Sequence, residues 1–281
     1  MELPLIPSET TASIATVAVA PVPIALTLLA LILVIGALSG VVQSGLARRF
    51  SWWAIPLTTG WIGVPVHELS HAVACLLLRR PILKFRPLAP NSQTGTLGFV
   101  QWQPGAGPLA WLSTVLVGLA PLAGGTLALF GLMQLPGVFD HCARLPHWRA
   151  LPWSWQQDEQ TALPTLDQLF AMTHVYADLT RRAWQQGWTG RLGIVAWWWS
   201  LVSVAAHMSP SSADLRDTWR GWLLGLLLTA AVLLGWHALD WHGHIGVLNG
   251  IFQVMVQLIP GLLVGGTTLM ALVLILLPLR R

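Results

Sequence analysis

Charge is scarce in this chain. Only 9% of its 281 residues are charged while 54% are hydrophobic, against roughly 25% charged side chains in soluble domains. An ordinary soluble globule is excluded on that ground. Cysteine is nearly absent: Cys75 falls in an apolar run and Cys142 in a polar one, so no disulfide framework is expected and the redox compartment stays open. Lys and Arg are missing before the first apolar run, which is preceded instead by Glu2 and Glu9; a cleaved secretory leader is therefore not expected, and residues 22–43 read as a retained helix. Internal repeats are absent too, which weighs against a transporter built from repeats.

What remains is apolar length. The windows Pro23 to Val42, Trp219 to Ala238 and Gly261 to Leu279 hold almost no ionisable group, and each approaches the roughly 20 residues that cross hydrocarbon. The net charge of +4 does not point to nucleic acid, because the basic residues sit in small groups at the ends of apolar runs, as membrane flanks do. Seventeen Trp fit the same reading, since Trp concentrates where lipid tails meet headgroups. The sequence thus predicts an all-α polytopic membrane protein with about six transmembrane helices and a small β-hairpin.

Along the chain, residues 1–50 form a tail and first helix. Residues 51–133 hold a second helix from about Trp52 to Leu78, stopped at Arg79-Arg80-Pro81, then a hairpin between Leu83 and Gln103 and a third helix from about Pro108 to Met133. The hairpin follows from the strand formers of Thr96 to Trp102 and the turn residues Asn91 to Gly95. Residues 134–190 are too polar for lipid, and Thr165 to Trp184 has the spacing of an amphipathic surface helix. Residues 191–281 carry the remaining helices: Arg191 to Met208, one from Thr218, and a long run from Ile245 broken at Pro260-Gly261. Placing Arg79, Arg80, Lys84, Arg86, Arg216, Arg220, Arg280 and Arg281 on the cytoplasmic side leaves Arg48-Arg49 and Arg181-Arg182 on the other.

One motif carries chemistry. His67-Glu68-Leu69-Ser70-His71 lies within the second apolar segment, and on a helix residues four apart share a face, so two imidazoles meet one metal with Glu68 at the border of that face. By composition such a pattern arises by chance in about 0.4% of chains of this kind. A carboxylate between two histidines inside an apolar helix also costs about 2.5 to 3.5 kcal/mol on insertion, which asks for a functional return. A hydrogen-bonded polar cluster between helices is the plainer alternative. Imidazole ligands suit Zn²⁺, whose catalytic sites use three protein ligands and an open position.

Val66 to Ala72 followed by a basic hairpin resembles the site-2 protease family of intramembrane zinc metalloproteases, over about residues 60–132 and 191–240. That resemblance implies a third ligand from an Asp that opens a later helix. Within Met208-Ser209-Pro210-Ser211-Ser212-Ala213-Asp214-Leu215-Arg216-Asp217, it implies Asp214, with Asp217 the rival and helix capping the alternative for both. Ala213 and Leu215 depart from the family's pattern. The family's third-helix Asn is replaced: Gly124 stands where it is expected, within Gly118 to Gly125, and small residues there also serve close helix packing. No inserted PDZ-like domain is expected, for want of alternating strands. His237, Asp240, His242 and His244 form a second cluster that reads better as an interfacial loop, His207 as packing near the site, and His141, His147 and His174 as solvated.

The expected activity is zinc-dependent hydrolysis, with Zn²⁺ on His67, His71 and Asp214, and Glu68 as general base. The expected partners are a membrane-protein or peptide substrate and the lipid bilayer, with no nucleic acid. Two other classes stay open: a catalytically weak or inactive membrane binding module, and a transporter.

Overall fold

The computed structural model describes residues 21–106, 110–133, 166–211, 213, 214, 216, 265, 266 and 268. Five helices dominate, with one two-stranded antiparallel sheet. Helix α1 spans Pro21–Arg49, a π-helical turn occupies Pro56–Gly60, and helix α2 spans Trp61–Leu77. Strands β1 (Ile82–Arg86) and β2 (Phe99–Trp102) follow, then α3 (Ala110–Met133), α4 (Leu166–Gln185) and α5 (Trp188–His207). Most of these elements match the sequence expectations to within a few residues; α1 runs six residues past Gln43, and α2 begins at Trp61 instead of about Trp52 because a π-helical turn that was not anticipated precedes it. The helices expected beyond residue 218 and the polar stretch 134–165 lie outside the described residues.

Apolar composition explains α3. It runs 24 residues with no charge, about 36 Å at 1.5 Å per residue, and among the described residues it is the helix long and apolar enough to cross a membrane. Helix α2 packs against both α3 and α5, which also touch each other where the Trp197 indole donates to the Leu132 carbonyl. Its approach to α5 depends on Gly63, where a Cβ would overlap the Ser203 carbonyl oxygen. Direction follows from the pairings. Thr58, Gly63 and His67 meet Trp199, Ser203 and His207 in the same order, so α2 and α5 run parallel. Gly36 meets Ser209 whereas Gln43, about two turns later, meets Ala206, and the short link from Arg49 to Pro56 turns the chain back, so α1 runs the other way.

Helix α4 turns into α5 at Gly187, whose φ of 85° is strained for any side chain. The amphipathic face of α4 is expected on a surface, but it is used inside the protein. Tyr176 and Leu179 are buried, Tyr176 packs edge-on against Trp197 and Trp198, and the Trp198 indole donates to Thr180 Oγ1 at 2.8 Å. Aromatic partners on α5 cover the stripe that lipid was expected to cover.

The hairpin is in register, with Lys84 opposite Gln101, Phe85 opposite Val100 and Arg86 opposite Phe99, after a slip between Ile82 and Lys84. An isolated bridge joins Asn91 to Thr96. It hangs from the end of α2 and lies back against that helix.

Candidate metal centre

Periodicity puts His67 and His71 one turn apart, and the fold turns both inward. Their Nε2 atoms lie 3.2 Å apart. Asp214 closes a triangle, with Oδ2 at 3.5 Å from His67 Nε2 and Oδ1 at 3.2 Å from His71 Nε2. Ligand atoms about 2.05 Å from a tetrahedral zinc stand about 3.3 Å from one another. Each of the three distances is within a few tenths of an ångström of that length, with both Asp214 oxygens contributing, and one atom from each residue can be chosen within 4.8 Å of the others, so the donor set fits the ion.

Hydrogen bonding on the far side of each ring fixes what the near side offers. His67 Nδ1 lies 2.6 Å from the His207 carbonyl oxygen and His71 Nδ1 lies 2.7 Å from the Val117 carbonyl oxygen. A carbonyl only accepts, so each Nδ1 donates, and a ring in its neutral form presents a bare Nε2 lone pair. Two lone pairs and a carboxylate converge on one point. That arrangement can hold a shared metal cation.

Proline explains why those carbonyls are available. Pro121 sits inside α3 and has no N–H, which releases the carbonyl four residues earlier, that of Val117. His207 ends α5, where the last carbonyls have no partner within the helix. The sequence marks Gly118 to Gly125 and His207 as near the site, but not that the backbone carbonyls of Val117 and His207 orient the rings. A proline inside an apolar helix facing a histidine was the available signal.

Asp214 has two roles at once. Ser211 N–H donates to Asp214 Oδ2 at 2.7 Å, and Asp214 N–H donates to Ser211 Oγ at 3.2 Å. This reciprocal pair is a capping box with Asp in the third helical position. Capping and metal binding were alternatives in the sequence; one carboxylate caps the helix while facing both imidazoles. Asp217 lies outside the described residues, as do His141, His147, His237, Asp240, His242 and His244. His174 is exposed on α4.

Glu68 is buried, with 7% of its surface exposed, and the hairpin covers it. A Cβ at Gly98 would stand 2.8 Å from Val64 Cγ1 and 2.9 Å from Glu68 Cγ, so only glycine lets the strand lie this close. Gly98 was not singled out from the sequence. Gly124 faces the opposite side of α2, where a Cβ would overlap Ser70 Oγ and come 2.7 Å from Ser70 Cβ. The packing alternative for Gly124 is therefore the observed one, and no Asn side chain fits there. Cys75 is a buried free thiol. His67, His71 and Asp214 are the group of metal-binding side chains found among the described residues, their ligand atoms within 4.8 Å of one another. Comparison with family models, with curated proteins and with solved structures finds no match to this chain.

Proposed function

We propose that this chain is an intramembrane zinc metalloprotease, similar to the site-2 protease family, which hydrolyses peptide bonds in or beside the transmembrane segments of membrane-protein substrates. The observation that carries the reading is the triangle of His67, His71 and Asp214 donors at tetrahedral spacing with Glu68 on the adjoining helix face. A multi-pass arrangement of about six helices goes with it. Large apolar side chains turned outward on three helices, Leu69 and Leu77 on α2, Leu127 and Phe130 on α3, Leu192 and Val195 on α5, support burial in lipid over exposure to water.

Zn²⁺ bound there supplies Lewis acidity, making water nucleophilic near neutral pH and polarising a carbonyl. The chain's own residues do the rest. The Val117 and His207 carbonyls hold the imidazoles in the ligating tautomer, and the Ser211 cap fixes the Asp214 carboxylate. The Glu68 carboxylate takes a proton from water as a C–O bond forms at the scissile carbonyl, then returns it to the amide nitrogen as the C–N bond breaks. The hairpin keeps bulk water from Glu68. Among the described residues each strand of the two-stranded sheet has an unpaired edge, so a locally unwound substrate adds as a third strand.

The test is metal content of purified wild type beside Glu68→Gln and His67→Ala, with cleavage of a single-span substrate in proteoliposomes. Expected are stoichiometric zinc in wild type and Glu68→Gln, loss in His67→Ala, and a fall in cleavage on the order of 10² to 10⁴ in Glu68→Gln. A wild type without zinc overturns the reading. Zinc without cleavage favours the second reading, a membrane binding module, which the lack of any side chain at Gly124 to steady a reacting carbonyl supports.

A further inference from the structure

The last turn of α5 is held from several sides. Ala206 cannot complete a helical hydrogen bond, because the residue four ahead is Pro210, which has no N–H. Its carbonyl instead accepts from Gln43 Nε2 of α1 at 2.8 Å. The preceding carbonyl, Ala205, faces Ser39 Oγ of α1 at 3.5 Å, and the following one, His207, accepts from the proposed ligand His67 at 2.6 Å. The His207 side chain is tied in turn, its Nε2 lying 3.0 Å from Thr59 Oγ1 in the π-helical turn that precedes α2. Both Thr59 and His207 are buried. π-Helical turns inside helices are frequent at functional sites. Four residues beyond this turn stands Ser211, whose N–H and hydroxyl fix Asp214.

We infer that Gln43 and Thr59 are positioning residues for the metal centre, an inference that rests on the metal reading above. Gln43 bonds to the Ala206 carbonyl and Thr59 to the His207 ring, so the bonds through which they act are one step removed from His67, His71 and Asp214. Gln43 sets the height of the α5 terminus against α1, and Thr59 sets the rotation of His207, so together they fix the carbonyl that orients His67 and the point from which the Asp214 segment departs. Helix α1 lies outside the stretch that resembles the protease family, and this gives it a part in the site: it supplies no ligand, but fills the gap that Pro210 leaves in the helix supplying the ligand's anchor.

The experiment measures Zn²⁺ affinity by chelator competition and the visible absorption spectrum of the Co²⁺-substituted full chain. Wild type is compared with Gln43→Met, Thr59→Val, the double variant, Thr59→Ser, and the control Ser200→Ala, whose hydroxyl bonds only within α5 to Ala196. Outer partners of metal-ligating histidines typically matter by 10 to 100-fold in affinity. Expected, one step further out, is about a tenfold loss in each single variant that keeps its fold, with an altered cobalt spectrum, recovery in Thr59→Ser, and no change in Ser200→Ala. The double variant is expected to lose less than the product of the singles, because both act on one turn. Wild-type affinity and an unaltered spectrum in folded Gln43→Met and Thr59→Val overturn the inference, whatever their stability. Should one of the two not fold, the other decides alone. Failure of the wild type to bind either metal is a different outcome, and it removes the metal reading itself.

Discussion

At the scale of single residues, the site is an arrangement of hydrogen-bond polarity. Each imidazole donates on one side to a backbone carbonyl, and in its neutral form accepts on the other. Gly124 shows the same economy in space. Its hydrogen lets α3 lie on Ser70 of α2, whose hydroxyl turns back to the Val66 carbonyl at 2.6 Å. Gly124→Ala is expected to destabilise the fold by about 1 to 3 kcal/mol through overpacking, and Ser70→Gly in the same chain to recover most of it. Thermal unfolding in detergent checks both; equal stability of Gly124→Ala and wild type would show that the helices are free to separate. The spacing of His67 and His71 was legible because helical periodicity is local. Gly124 was visible as a small residue but its partner was not, since no local rule says which helix a glycine will face.

Among the elements, proline matters by what it fails to donate. Pro121 in α3 and Pro210 after α5 each release one carbonyl, and a side chain of another helix takes it, His71 in the first case and Gln43 in the second. In a lipid surround a lone carbonyl costs several kcal/mol, so such pairs also fix how the helices sit. Pro121→Ala is expected to return an N–H to the Val117 carbonyl, compete with His71 and weaken zinc binding by roughly 10 to 100-fold while leaving the helix intact. Chelator competition on the purified variant measures it, and unchanged affinity would mean that the carbonyl serves both donors. The hairpin is the other element with a stated role. Deleting its tip, residues 88–97, is expected to abolish cleavage while zinc stays bound; cleavage at the wild-type rate would remove it from substrate handling. Strand and helix boundaries were readable within a few residues from Pro81, Asn91 to Gly95 and the apolar runs. The π-helical turn was not, because nothing in Pro56-Leu57-Thr58-Thr59-Gly60 separates it from ordinary helix.

For the molecule as a whole, helix direction groups the charges. The α1 terminus with Arg48 and Arg49, and the α4–α5 corner with Arg181, Arg182 and Arg191, lie toward the end where α2 begins; Arg79, Arg80, Lys84 and Arg86 lie beyond the end where it stops. Arg48, Arg49, Arg181 and Arg182 are thus at the opposite end of the bundle from Arg79, Arg80, Lys84 and Arg86, while Arg220, Arg280 and Arg281 lie outside the described residues. On the membrane reading, the chain is expected to stay with the membrane pellet after alkaline carbonate washing and to need detergent for release. Recovery in the wash supernatant would overturn it, and would make the outward Leu and Phe side chains a surface for protein rather than lipid.

The sequence by itself determined the elements and the two histidines of the motif, because helix periodicity, proline stops and the shortage of charge act over a few residues at a time. The family resemblance narrowed the expected third position to Asp214 or Asp217. Only the tertiary structure brought Asp214 to His67 and His71 across some 140 residues of chain, chose two backbone carbonyls to orient the rings, laid Gly98 over Glu68 and joined α1 to the end of α5. Those choices depend on which helix faces which, and packing between distant segments settles that.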